Sequence, residues 1–295
     1  MDHYRSIVIT GGKGMLAHAL ADQLRQRGLP FAAVDVDVAD ITKPADVARL
    51  FADKHPTLLI NCAAYTAVDL CEAQREKANS INGDAVALLS ECCRQYNTKL
   101  VHYSTDFVFD GQSNVPYKPT DPPHPISAYG ISKLFGEQKI QEINTPGWLI
   151  IRTAWLYGRH GNSFPRTILK LAKSGRSMRV VNDQTGCPTY TVDLAAATFD
   201  LIAADAAGIF HVTNSSATTW YDFAAATLKL FATAAELVPV TTEQWLLERP
   251  NQARRPAYSV LDNSHCKRVI GRVLRPWQEA LADYRATFAT GAEYL

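Results

Sequence analysis

Tyr129 and Lys133 stand four residues apart in Tyr129-Gly130-Ile131-Ser132-Lys133. The run onward to about Gln141 reads as helix, so the two side chains leave the same face. A phenol ordinarily holds its proton to about pH 10. A lysine cation one turn away favours the phenolate, and the pair predicts a tyrosine pKa drawn toward neutrality. Such a group hands a proton to a carbonyl oxygen, or takes one from an alcohol, while a hydride moves at the carbon. The spacing alone is common on helix surfaces, where it makes only an ion-dipole pair. It carries chemistry when a dinucleotide-binding turn precedes it and a hydroxyl donor lies nearby. This chain has both.

The turn comes first. Ser6-Ile7-Val8-Ile9-Thr10 is a β-branched run, hence a buried strand, and it ends in Gly11-Gly12-Lys13-Gly14-Met15-Leu16-Ala17 before a helical pattern running to Gly28. Gly11 allows the tight turn and Gly14 leaves room for a pyrophosphate. Met15 and Leu16 open the helix whose amides would receive it, and Ala17 is small enough for close packing. Phe31 to Asp35 is a second strand. Asp35 follows the turn by roughly 20 residues, where a carboxylate binds adenosine ribose hydroxyls and favours NADH. Lys13 argues the other way, since it can approach the 2′-phosphate of NADPH. Asp40 and Ile41 are placed to flank the adenine, and Pro44 to His55 reads as a crossover helix.

Leu58 to Ala64 forms a third strand whose small carboxyl end sets Ala63, Ala64 and Tyr65 beside the cofactor. A helical region from Glu72 to Tyr96 breaks near Gly83. There the amide of Asn82 serves either to fix a kink or as an ordinary polar side chain. Lys99 to Ser104 is the fourth strand, and it delivers Thr105, whose hydroxyl suits a substrate carbonyl oxygen beside Tyr129. Without that neighbour, Thr105 would be a turn or cap residue. The proline-rich stretch from Gln112 to Pro125 predicts a loop at one rim of the pocket. Ser127 or its neighbour caps the Tyr129 helix, and Trp148 to Arg152 is the fifth strand. Beyond it come a helix from Phe164, a strand over Met178 to Val181 and a turn-rich loop over Asn182 to Thr189. A helix over Val192 to Ala204 and a strand over Gly208 to Val212 come next. The remainder reads as largely helical, ending near Tyr294.

With 295 residues, 47% hydrophobic and 20% charged, the chain can bury a large core in one domain or two unequal ones. A formal net charge of +1 gives no footprint for nucleic acid or an anionic membrane. The longest uncharged apolar stretch, Thr57 to Val68, is too short to span a bilayer. The opening Met1-Asp2-His3-Tyr4-Arg5 lacks a signal-peptide pattern. Cys62, Cys71, Cys92, Cys93, Cys187 and Cys266 show no C-x-x-C pair and no zinc spacing, which predicts reduced thiols in a cytoplasmic protein.

At Thr10 to Ala17, Ser104 to Gly111 and Tyr129 to Lys133 the chain resembles the extended short-chain dehydrogenase/reductase family. Later motifs are similar to its dTDP-4-dehydrorhamnose reductases: Arg152-Thr153-Ala154-Trp155-Leu156-Tyr157-Gly158, then Asn182-Asp183-Gln184 with Pro188-Thr189, then Arg254-Arg255-Pro256 with Leu261-Asp262. The resemblance implies an α/β fold. A Rossmann-type doubly wound parallel sheet would occupy residues 1–155, with 183–211 returning to it. A smaller C-terminal substrate domain would use 156–182 and 212–295. It implies reduction of the C4 ketone of dTDP-4-dehydro-6-deoxy-L-mannose by NADPH or NADH, giving dTDP-L-rhamnose, with Thr105, Tyr129 and Lys133 as the catalytic residues.

Lys133 would also bind the nicotinamide ribose. Val68, Phe107, Tyr129 and Trp155 would surround the sugar. Asn162, Phe164 and Arg255 would lie near the nucleotide or diphosphate, where a fixed cation is suited to the charge. Two departures stand out. Phe107 replaces a tyrosine frequent in the family, so one hydroxyl to the sugar is missing. Ala19 and Val192 stand where some members carry Mg²⁺-binding glutamates at a dimer interface, so no metal is expected, and monomer and homodimer both stay open. Two alternatives remain: another nucleotide-4-ketosugar reductase or an epimerase that retains NAD⁺, and a non-catalytic regulatory subunit of the same fold, such as that of methionine adenosyltransferase.

Overall fold

The computed structural model describes residues 4–175 and 177–288. β1 (Ile7–Thr10) passes through the glycine turn into α1 (Met15–Gln26), followed by β2 (Phe31–Val34), α2 (Pro44–Lys54) and β3 (Leu58–Asn61). Next come α3 (Val68–Ala73), α4 (Arg75–Asn79), a π-helical turn at Ser80–Asp84, and α5 (Ala85–Gln95). β4 (Lys99–Thr105), α6 (Ala128–Ile143) and β5 (Leu149–Thr153) complete the first half.

All five of these strands join β10 (Gly208–His211) in one parallel sheet, in the order β10-β5-β4-β3-β1-β2. The chain leaves β1 toward β2 on one side and returns to β3 on the other. The crossovers therefore diverge there, and a crevice opens at the carboxyl ends of β1 and β3. Side chains alternate across the sheet. Ile7, Ile9, Leu58 and Ile60 pack against Leu16, Leu20 and Leu24 of α1 and against α8 (Thr191–Ala203) through Leu194 and Phe199. Val8, Leu59, Leu100 and Ile150 face Phe51 of α2, Leu89 of α5 and Ile140 of α6. Helices thus cover both faces, the doubly wound arrangement, and the central strands are buried on both sides.

The second half begins with β6 (Leu156–Tyr157), α7 (Phe164–Ala172), β7 (Met178–Val181), β8 (Thr185–Gly186) and β9 (Thr189–Tyr190). After α8 and β10 come β11 (Thr218–Thr219), α9 (Trp220–Leu230), β12 (Leu237–Val240) and α10 (Thr242–Glu248). The last helices are α11 (Ser264–Ile270) and α12 (Trp277–Ala286). An aromatic cluster of Tyr157, Phe223, Trp277 and Tyr284 holds α9 and α12 to β6. A second cluster, with Ile168, Met178, Val180 and Leu228, fills the space between α7, α9 and β7. α11 belongs to the other side of the molecule, since Cys266 packs into the α1–α8 core.

Two expectations are corrected. The region after Val212 is not largely helical: β12 pairs in parallel with β7, and residues 249–263 run without helix. Leu237-Val238-Pro239-Val240 is short, with β-branched Val238 and Val240 and a proline that disfavours helix, and Pro250 and Pro256 keep the chain beyond α10 from continuing as helix. The Gln112 to Pro125 loop does not rim the main cavity. Tyr117 is drawn inward, stacked on Phe109 with ring centroids 4.2 Å apart and bridged to Leu261. The helical ending expected near Tyr294, like the opening Met1 to His3, lies outside the described residues. Among the described residues no helix is long and apolar enough to cross a membrane.

Candidate active site

Strand ends and the helices α1 and α6 build the site. Gly11 adopts φ +64°, and a Cβ there would come within 2.7 Å of the Ala63 amide nitrogen, so only glycine fits. Gly14 is the N-cap of α1; it offers no side-chain cap, and the first turn of that helix contains no acidic residue. The Gly14 amide closes the turn on the Gly11 carbonyl at 2.8 Å, and the amides that follow, at Met15 and Leu16, open on a cavity of about 760 Å³ with no side chain competing for them.

α6 reaches the same cavity from the opposite wall. Ser127 caps it, its Oγ accepting from the Gly130 amide at 3.2 Å. Gly130 lets the helix press on the chain beneath, because a Cβ at 130 would sit 2.2 Å from the Phe107 carbonyl oxygen. Gly136 plays the same part against the Asn82 carbonyl oxygen, again at 2.2 Å. Asn82 is buried in the π-helical turn. Its amide accepts from Tyr65 N at 2.8 Å and donates to Tyr65 O at 3.0 Å and to Ser132 Oγ at 2.9 Å. Its side chain thus fixes the bend and ties it to the Tyr129 helix.

Tyr129, Lys133 and Thr105 all line the cavity, with Ala63, Ala64, Val68, Phe107, Trp155, Asn162, Phe164 and Arg255. Gly11, Tyr65, Asp35, Asp40 and Ile41 are not among the lining residues. Gly11 sits behind the turn. Tyr65 is bound to Asn82 through its backbone and to Gln74 through its hydroxyl. Asp35, at the end of β2, accepts from the Lys13 and Val36 amides, each at 2.9 Å. Asp40 turns onto Thr42, accepting from its hydroxyl at 2.7 Å, and Ile41 is buried. Lys13 pairs with Asp37 at 2.9 Å on the surface.

The electrostatics differ from the expectation drawn from spacing. Burial pushes the Tyr129 phenol well above its ordinary pKa; the nearby Asp106 carboxylate adds to the rise and the Thr105 hydroxyl opposes it. Lys133 is not among the groups that shift it. The amine donates to the Tyr103 carbonyl at 2.6 Å and lies 3.2 Å from His102 Nε2. Burial draws Lys133 down to about 8, against the pull of Glu137 and Cys62. Thr105 is also engaged: its hydroxyl donates to Asp106 Oδ1 at 3.0 Å and accepts from the Phe107 amide at 3.2 Å. Burial raises Asp106 to about 6 in spite of its bonds to Ser259 and Thr105.

Several participants escaped the sequence reading. Asn61 and His102 lie beneath Lys133, in strands that read only as apolar cores. A histidine inside the run Leu100-Val101-His102-Tyr103 was the available signal. Glu137, one turn beyond Lys133, forms a buried two-pronged pair with Arg152, at 2.6 and 2.9 Å. Trp220 stacks on Trp155 with centroids 3.5 Å apart and planes 8° from parallel, and Trp155 itself holds φ +47°. With Phe164, Thr167 and Arg255, Trp220 lines both the main cavity and an adjoining one of about 380 Å³. Arg255 is held by Asp69 of α3 at 3.0 and 3.2 Å, which joins the two halves of the molecule across the cavities.

The residues fit a dinucleotide. The α1 amides are uncapped, and Ser104 Oγ and Thr153 Oγ1, both buried at the cavity wall, make no hydrogen bond to any described residue.

Known proteins agree with this architecture. The family model described as RmlD substrate binding domain matches residues 5–290. A dTDP-4-dehydrorhamnose reductase of Burkholderia thailandensis is 37% identical over 93% of this chain and 96% of its own. A Streptomyces antibioticus protein named a probable dTDP-4,6-dihydroxy-2-methyloxan-3-one 4-ketoreductase is 40% identical over 94% and 93%. The crystal structure of dTDP-4-dehydrorhamnose reductase from Bacillus anthracis in complex with NADP superposes with a TM-score of 0.91 at 33% identity, covering 96% of this chain and 99% of that one. The strand-turn-helix, the Tyr129 helix and a match running nearly end to end place the chain in the RmlD substrate-binding-domain family, among the dTDP-4-dehydrorhamnose reductases.

Proposed function

We propose that the protein reduces the C4 ketone of dTDP-4-dehydro-6-deoxy-L-mannose to dTDP-L-rhamnose with NADPH or NADH, as a cytoplasmic step of dTDP-L-rhamnose biosynthesis. The observation that carries this is one cavity that holds the bare amino end of α1, Thr105 and Tyr129 together. The reduced nicotinamide, when bound, supplies the hydride; the protein supplies the proton. Tyr129, kept protonated by burial, donates to the sugar oxygen as negative charge develops there, a contribution of roughly 10²–10⁴-fold. Thr105 holds that oxygen, which requires its hydroxyl to turn from Asp106. Lys133 binds the nicotinamide ribose. Gly11, Gly14, Met15 and Leu16 receive the pyrophosphate, while Asp35, Asp40, Ile41, Ala63, Ala64 and Tyr65 surround the adenosine side and the ring.

Val68, Phe107 and Trp155 enclose the sugar. Asn162, Phe164 and Arg255 meet the nucleotide or diphosphate, and the adjoining cavity takes the nucleoside end. The division of labour follows the chain: 1–155 with 183–211 for the cofactor, and 156–182 with 212–295 for the sugar nucleotide. A different dTDP-4-ketosugar is a second reading. Phe107 brings no hydroxyl to the sugar, and a relative at 40% identity carries the name of another 4-ketoreductase.

The test is a coupled assay in which dTDP-glucose, the dehydratase and the 3,5-epimerase generate the ketosugar, with NADPH and NADH supplied separately. Oxidation of the cofactor should require every upstream enzyme. Tyr129→Phe should lose 10²-fold or more in turnover, about the value of a general acid, and keep its cofactor affinity. Unchanged turnover in Tyr129→Phe rejects the proton donor. Oxidation that proceeds without the epimerase points to the other sugar, and cofactor retained through purification points to an epimerase.

A further inference from the structure

The carboxyl end of β2 carries a small charge network beside the glycine turn, and that network bears on which dinucleotide enters. Asp35 closes on the turn: its Oδ2 accepts from the Lys13 amide and its Oδ1 from the Val36 amide, each at 2.9 Å. An ionised carboxylate has about four acceptor positions, so about two remain for ribose hydroxyls. NADPH differs from NADH by one phosphate on the adenosine ribose, a group of charge near −2 that needs a cation or free N–H donors beside it. Lys13, in the turn and lining the cavity, is the cation within reach. Its Nζ is taken by Asp37 Oδ2 at 2.9 Å. That bond holds the Asp37 carboxyl below its ordinary pKa and the Lys13 ammonium above its own, so both are charged at neutral pH. Lys43, the next cation along the chain, turns to Asp40 at 3.6 Å. Val36 and Val38, exposed on either side of Asp37, bring no charge. The loop amides are engaged too: Val36 donates to the Asp35 side chain, and Val38 and Ala39 both donate to the Asp35 carbonyl at 2.9 Å.

We propose that Asp37 is a specificity-determining residue: by occupying Lys13 it withdraws the cation that a 2′-phosphate would need, and the protein favours NADH over NADPH. The proposal rests on the reading of this cavity as a dinucleotide site and deepens it. Asp35 and Asp37 together outweigh Lys13, so the corner presents a net negative charge to the incoming ribose. A ribose with free hydroxyls finds acceptors on Asp35 and meets no repulsion. A 2′-phosphate is repelled by Asp35 and must take Lys13 away from Asp37. Lys13 and Asp37 are 69% and 57% exposed, so water and salt screen their charges, and the discrimination is several-fold instead of absolute. The opposite signals of Asp35 and Lys13 in the sequence are reconciled in this way, because the lysine is not free to act on its own.

Calorimetric titration with NADH and with NADPH, at low salt and without any sugar, is the test. The native protein should bind NADH at least about threefold more tightly, the scale of exposed charge interactions. Equal or tighter binding of NADPH overturns the proposal. Asp37→Asn keeps the size of the side chain, removes its charge and releases Lys13. Its affinity for NADPH should rise roughly three- to tenfold, one exposed charge acting on a doubly charged group, while its affinity for NADH stays within about twofold. No gain for NADPH overturns the proposal. Lys13→Met and the double variant Lys13→Met/Asp37→Asn complete a cycle. Most of the gain should disappear when Lys13 is absent. A gain of the same size without Lys13 means that Asp37 acts by repulsion alone, and that also overturns the proposal. Failure to bind either cofactor rejects the dinucleotide site itself and the proposal with it. A preference for NADPH rejects the proposal and leaves the site standing. None of these outcomes depends on which sugar is reduced.

Discussion

Thr105 and Asp106 share one proton donor, and that sets the local pH behaviour. Asp106 is buried beside Tyr129 and raised to about 6, above the carboxylate range of an unfolded chain. A raised carboxyl binds its proton more tightly when folded. Its stabilising contribution is present below about pH 4 and is lost as the pH rises through about 6. Asp106→Asn keeps an oxygen for the Thr105 hydroxyl and removes the titration. Urea midpoints between pH 4 and 7 should therefore fall less with rising pH in Asp106→Asn than in the native protein. Parallel curves would mean that Asp106 is ionised throughout. The same residue pair explains why spacing misjudged the tyrosine. Helical periodicity put Tyr129 and Lys133 on one face, but periodicity says nothing about burial of the phenol or about the carbonyl and imidazole that meet the amine.

At the scale of elements, glycines let α6 come close enough to the sheet and the π-helical turn to hold the site. Gly136→Ala would place a Cβ 2.2 Å from the Asn82 carbonyl oxygen, a backbone atom that cannot swing away. A loss of about 1–3 kcal/mol is expected, typical of overpacking. The melting temperature should drop by several degrees, along with the cofactor affinity. A variant as stable as the native protein would show that α6 can slide without cost. The elements themselves were legible: the strands from Ile7, Phe31, Leu58, Lys99 and Leu149, the crossover helices and the Ser127 cap all follow from apolar runs and turn residues. β12 was not, because four residues with a proline form a strand only through β7, which lies about sixty positions earlier. Likewise the places of Asn61 and His102 beneath Lys133 depend on neighbours in adjacent strands, and no local pattern records which strands are adjacent.

Across the whole molecule, the buried polar groups tie distant segments together. His211 of β10 reaches the Tyr117 carbonyl at 2.9 Å and lies beside Arg152, itself paired with Glu137. Burial and the Arg152 charge lower its pKa to about 3. A depressed histidine gives stability that is complete above about pH 6.5 and is lost as the pH falls toward 3, because the unfolded chain takes up the proton first. Each pH unit in that window removes up to about 1.4 kcal/mol. His211→Gln should flatten the acid limb of the stability curve, measured by chemical denaturation from pH 3 to 7. An unchanged limb would assign acid sensitivity to other groups. In the native protein this slope runs against that of Asp106, so the two partly cancel near pH 5.

The stacked indoles of Trp155 and Trp220 give the molecule an optical signature of its own. Two aromatic chromophores 3.5 Å apart and nearly parallel couple their excited states. Their shared transition should split into a paired circular-dichroism band that Trp220→Phe abolishes while the helical signal stays intact. Because both rings face the main cavity, a nucleotide sugar that inserts beside them must alter that band. A titration followed in this way would count occupied sites without label, coupling enzyme or turnover.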